Sequence, residues 1–223
     1  MRTRNNTIGR QSSTLEVLVL RFTDAGGEVM ALTSDQLLSS LPETFRYSEA
    51  LDHISGRQLR RLVDDGSITA LSRGLYSKSD WLGDEDLIEI AAKAPNATLC
   101  LRSALSRHEL IDDIPAEIDV AIPRGSWLPE TTAPVRWRHF ATDTFDIGRG
   151  ELAVDGGRSI GLYSAERSII DAFRMRHLEG TDLANEALKR WLRRGGQPSE
   201  LLRMARSFPR SLTALRETLE ILL

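Results

Sequence analysis

Between Tyr47 and Tyr76 the spacing of apolar residues changes period. Ile54, Leu59, Leu62 and Val63 share one helical face, and Arg57, Gln58, Arg60 and Arg61 lie off it. Ser55 is placed to cap this helix, because its hydroxyl can accept from an unpaired amide of the first turn. Gly66, after Asp64 and Asp65, is a stop. A shorter helix is expected over residues 48–52. Residues 67–71 then alternate as a strand does, Ser72-Arg73-Gly74 reads as a tight turn, and Leu75-Tyr76 starts a return strand.

Helix, turn, basic helix and hairpin, in that order, predict a winged helix-turn-helix. Its second helix would lie in a DNA major groove, where each base pair presents its own donors and acceptors. Arg73, at the hairpin tip, would reach phosphate or a minor groove. The DNA-facing set is therefore Ser55, Arg57, Gln58, Arg60, Arg61 and Arg73. Tyr76 is expected to be structural, packed under the second helix.

Elsewhere the pattern predicts a helix over residues 15–22, a second from the Thr33-Ser34-Asp35 capping cluster to Leu41, and a third over residues 79–94. Pro95-Asn96 ends that third helix and sets the expected boundary: residues 1–95 read DNA, and residues 96–223 form a second domain. There, short strands are expected at 97–101, 117–122, 135–140, 145–147, 151–154 and 158–162, with a helix at 103–110. From Ser164 onward the chain reads as helices, ended or started by Gly195-Gly196, Pro198 and Pro209. The class is α+β: an N-terminal winged helix-turn-helix, then a mixed, mostly antiparallel sheet with a C-terminal helical bundle.

Composition narrows the function. Hydrophobic residues make up 41% of 223, enough for a real core. The net charge is −3, so DNA contact must come from a local patch and not from bulk charge. The single cysteine, Cys100, sits in an apolar run and fits a reducing cytoplasm. No apolar run suggests a membrane span. The basic, polar start reads as a tail or a DNA-reaching arm, not a signal peptide.

Four stretches together resemble AbiEi-type antitoxins of type IV toxin–antitoxin systems: LRRLVDDGSITALSRGLYS, LCLRSALSRHELIDDIPAEIDVAIPRG, YSAERSIIDAFRMR and EALKRWLRRGGQPSELLRMA. The resemblance covers most of the chain from about residue 15. It implies a bacterial antitoxin with an N-terminal DNA-binding domain and a C-terminal antitoxicity domain. It also implies two partners: a cognate nucleotidyltransferase-like toxin, and operator DNA carrying inverted repeats through which the family represses its own operon. The chain would be a monomer in solution or a dimer on DNA. The stretch 31–45 is longer than the family's usual spacing before the second helix.

No catalytic residue set, metal site or cofactor is assigned. There is no phosphate-cradling glycine motif, and His53, His108, His139 and His177 are scattered. Asp112, Asp113, Glu117 and Asp119 cluster around one strand. Such groups can hold a divalent metal for phosphoryl transfer, or simply form a solvated strand edge. Asp171, among apolar neighbours, is expected to pair with Arg167 or Arg174. Lys189, Arg190, Arg193 and Arg194 form a basic group that is a solvated face, a toxin-docking surface or a second DNA contact. Two alternatives to the antitoxin reading are a phosphotransferase that modifies the toxin and a ligand-responsive repressor.

Overall fold

The computed structural model describes residues 32–155 and 157–223, so the helix expected at 15–22 and the N-terminal arm lie outside the described residues. Thr33–Leu223 form one compact α+β unit. It begins with α1 (Ser34–Ser39), capped by the Thr33 hydroxyl and by Gln36 reaching back to the Thr33 amide. The chain then forms β1 (Thr44–Arg46), α2 (Tyr47–Leu51), α3 (Gly56–Asp64), β2 (Ile68–Ser72) and β3 (Leu75–Lys78). The three strands form an antiparallel sheet in the order β1-β3-β2. Leu37, Phe45, Ala50, Ile54, Leu59, Leu62 and Ile68 fill the space between this sheet and the three helices. Tyr76 stacks on Phe45 at 6.0 Å and borders that core.

Next comes α4 (Glu85–Lys93), which is shorter than the helix expected over 79–94. The Asp84 carboxylate accepts from the Leu87 amide at 3.1 Å and starts the helix there, which leaves Leu82 97% exposed in the preceding loop. The expected boundary at residue 95 places α4 in the N-terminal domain. Its apolar face packs on a second, five-stranded sheet made of β4 (Thr98–Leu99), β5 (Ile118–Pro123), β6 (Val135–Phe140), β7 (Arg149–Asp155) and β8 (Arg158–Tyr163). Leu87 and Ile90 meet Leu99, Val120 and Ile160 there. Ile88 and Ala92 turn toward Leu75 of the hairpin. One helix therefore serves both sheets.

The second sheet runs β6-β5-β4-β8-β7. It is not mostly antiparallel as expected: β4–β8 and β5–β6 are parallel, and β4–β5 and β7–β8 antiparallel. Alternation reveals a strand's two faces but not the direction of its neighbour. Asp119 to Ile122 are buried on both faces, because α4 covers one and the C-terminal helices the other. β4 stops at Leu99, not at residue 101. Leu101 adopts a φ of +43°, which turns the chain into α5 (Leu101–Arg107). The strand expected at 145–147 is absent among the described residues; a short 3-10 turn (Thr142–Thr144) and a bend carry the chain into β7 instead.

The helical end comprises α6 (Ala165–Arg174), α7 (Arg176–Glu179), α8 (Thr181–Arg193), α9 (Pro198–Ala205) and α10 (Pro209–Leu222). Helix α6 is central, touching α5, α8, α9 and α10. Its Ile169, Ile170 and Phe173 are fully or nearly fully buried, and the Leu215 and Leu219 stripe of α10 packs in the same core. Among the described residues, no helix is long and apolar enough to cross a membrane.

Candidate functional site

Helix α3 presents the arginines of the sequence reading. Arg57, Arg60 and Arg61 are exposed, while Leu59 and Leu62 opposite them are buried. The i, i+3, i+4 spacing places the three guanidinium stems on one face. None of the three has a carboxylate within ion-pair distance among the described residues. The neighbouring Asp65 carboxylate is occupied: it accepts from the Ser67 amide at 3.0 Å and from the Ser34 hydroxyl. The Ser67 contacts chiefly hold that carboxyl below its ordinary value, with Arg61 adding to the effect.

Ser55 and Gln58 have a more local task than the arginines. The Ser55 hydroxyl accepts from the Gln58 amide at 3.3 Å, and the Gln58 side-chain oxygen accepts from the Ser55 amide at 2.8 Å. This reciprocal pair closes the first turn of α3 and fixes where the helix starts. Gly56, immediately after the cap, faces the Tyr47 hydroxyl, which a Cβ would approach to 3.1 Å. A side chain larger than hydrogen would require the Tyr47 ring to give by a few tenths of an ångström at this crossing.

Arg73 is exposed at the β2–β3 turn, where Gly74 supplies the left-handed φ of +75°. The Gly74 carbonyl accepts from the Tyr47 amide at 2.9 Å, which ties the turn to the start of α2. Beside the turn is an open cleft of about 660 Å³ lined by Arg46, Tyr47, Arg73, Lys93 and Trp127. Sequence reading singled out neither Arg46 nor Trp127, since the cleft forms only where the hairpin meets α4 and the β5–β6 loop.

The acidic group around β5 is distributed among arginines. Asp112 pairs with Arg190, Asp113 with Arg102, Glu117 with Arg136, and Asp119 with Arg138. Glu179 joins Arg102 and Arg138 into one network. Burial raises the Asp119 carboxyl above its ordinary value against the opposing pull of Arg138. Among the described residues, no three His, Cys, Asp or Glu side chains converge as a metal site would need.

The basic group of α8 divides in two. Arg190 is held by Asp112 and Glu186, and Arg194 donates to the His108 carbonyl and to Glu109. Lys189 and Arg193 remain exposed. Asp171 has both partners expected of it: Arg167 Nε at 2.9 Å and Arg174 at 3.1 Å, with Asp171 and Arg167 fully buried. No protein-family model matches the chain, and no curated protein matches it either.

Proposed function

We propose that the chain is a sequence-reading DNA-binding protein whose α2–α3 pair and β2–β3 hairpin act as a winged helix-turn-helix. The observation carrying this reading is the face of α3: three exposed arginines without a carboxylate partner among the described residues, in a chain of net charge −3, on a helix whose other face is locked into a core. A local basic face on an acidic molecule suits a specific, oriented contact better than non-specific attraction. Arg57, Arg60 and Arg61 would meet base edges and phosphates, and Arg73 would follow the backbone beside them. Ser55 and Gln58 would set the helix start that aims them. One such unit makes few contacts, so two copies on inverted half-sites about 34 Å apart are the expected operator complex.

Within that reading the chain is an AbiEi-like antitoxin, with the sheet and C-terminal helices engaging a nucleotidyltransferase-like toxin. Support for this part comes from the resemblance of the four stretches quoted above, two of which lie in β4–β5 and in α6. The test is binding of the full chain to the promoter region preceding its own coding sequence, with growth scored beside the adjacent gene product. Arg57→Ala/Arg60→Ala/Arg61→Ala should weaken operator binding and lower the salt slope by about one unit for each phosphate no longer neutralised. Growth rescue should persist in that variant. Unchanged operator affinity would overturn the assignment of α3.

A further inference from the structure

Trp127 is 87% exposed, in the loop of residues 124–134 between the parallel strands β5 and β6. That loop is anchored, not free. Glu89 of α4 is buried, and its carboxylate accepts from the Thr132 and Ala133 amides, each at 2.9 Å. Lys93, paired with Glu89 at 2.7 Å, donates to the Glu130 carbonyl at 2.8 Å. The anchored end fixes the loop on α4, and the opposite end carries the indole to the cleft beside the β2–β3 turn. The cleft has Arg46, Arg73 and Lys93 in its lining and no carboxylate among the described residues that line it. Arg46 donates to the Ala92 carbonyl, and neither it nor Arg73 has a carboxylate partner among those residues.

An exposed indole beside unneutralised arginines suits a ligand that is anionic along one edge and offers flat apolar surface along the other. Duplex DNA has both, in its phosphates and in the sugar and base edges of its minor groove. We propose that the β5–β6 loop is a second DNA-contacting element: Arg46 and Arg73 hold the backbone flanking the site read by α3, and Trp127 packs into the adjoining minor groove. This rests on the DNA-binding reading above, and it extends the footprint from the small sheet to a loop of the large one.

The experiment uses the full chain and a duplex that it selects from a random-sequence library. Hydroxyl-radical footprints and dissociation constants are compared for wild type, Trp127→Ala and Trp127→Phe, with Leu82→Ala as an exposed apolar control outside the cleft. Trp127→Ala should bind about tenfold more weakly and lose protection at the flank while keeping it at the centre. Trp127→Phe should recover most of the affinity, and Leu82→Ala should match wild type. A wild-type footprint and affinity in Trp127→Ala would overturn the proposal and leave α3 as the reader. Toxin rescue lost in Trp127→Ala at unchanged DNA affinity would move the loop to the protein partner and overturn it equally. Failure of the wild-type chain to select any duplex would remove both readings.

Discussion

Replacing Asp171 by Asn tests what holds the large sheet to the helical end. Arg167 is fully buried, and its guanidinium donates to Asp171 at 2.9 Å and to the Thr144 and Ile147 carbonyls at 2.7 and 2.6 Å. It lies over the Tyr163 ring at 4.1 Å and the Phe208 ring at 4.5 Å. One side chain thus joins α6, the loop before β7, the end of β8 and the start of α10. Burial raises the Asp171 carboxyl while Arg167 and Arg174 pull it back. Asparagine keeps the shape and removes the charge, leaving Arg167 buried without its counter-ion. Breaking a buried pair in this way costs about 3–5 kcal/mol. The surviving carbonyl and aromatic contacts place the expectation near the lower end, about 3 kcal/mol. For a unit of this length that lowers the melting temperature by roughly 6–12 °C. Urea unfolding should show the midpoint falling at constant slope. An apolar double replacement, Arg167→Met with Asp171→Leu, should be more stable than Asp171→Asn, since no fully buried charge is then stranded and Arg174, which also loses Asp171, keeps partial access to water. A loss under about 1 kcal/mol, or a double variant no better than the single, would refute the account of Arg167 as a buried pin.

Gly148 has a φ of +72°, and a Cβ there would lie 2.8 Å from the Arg167 Cβ, whereas Gly125, at +89°, faces open space. By urea unfolding, Gly148→Ala should therefore cost about 2–3 kcal/mol and Gly125→Ala about 1; equal losses would mean that Arg167 moves aside freely. Burial pushes the Glu89 carboxyl up, but the Lys93 contact and the two loop amides outweigh it and hold the value below its ordinary 4.5. With the folded value depressed, this stabilisation is complete above 4.5 and fades as pH falls through the lower folded value. Glu89→Gln should cost about 1–3 kcal/mol at neutral pH and flatten the acid limb of stability, read by denaturation at stepped pH.

What the sequence disclosed follows the range of the physics involved. The α3 cap, the Gly66 stop, the Arg73–Gly74 turn and the Asp171 pairing rest on neighbours a few residues away, and each could be read directly. The three-residue strand β1 was too short to show alternation, so the small sheet gained a strand that no period announced. The helix expected from residue 79 begins instead at Glu85, where the Asp84 carboxylate caps the first turn. In β5, acidic and apolar residues alternate as on a half-solvated strand. Asp119 is nevertheless 2% exposed, since Arg138 donates to its carboxylate in place of water and its backbone amide donates to the Ser103 hydroxyl. That pairing joins residues on separate strands and a helix, and no local pattern carries it.

The expected boundary at residue 95 shows the same limit in a form that bears on function. Pro95-Asn96 ends a helix, and helix ends often separate domains, so the inference was sound as far as local signals go. Yet α4 has two apolar faces: Leu87 and Ile90 serve the large sheet, and Ile88 and Ala92 serve the hairpin. A helix buried on two sides carries a broad apolar stripe, and composition cannot say which neighbour takes which part of it. Glu89 and Lys93, on the same helix, fasten the loop that bears Trp127. Helix α4 is therefore one element through which a shift of the hairpin would reach the large sheet, and through which a partner seated on that sheet would press on the hairpin. If the chain is both a DNA reader and a toxin binder, coupling between the two occupants has this short helix, beside the Thr44–Asp155 and Glu49–Arg158 contacts, as a physical route.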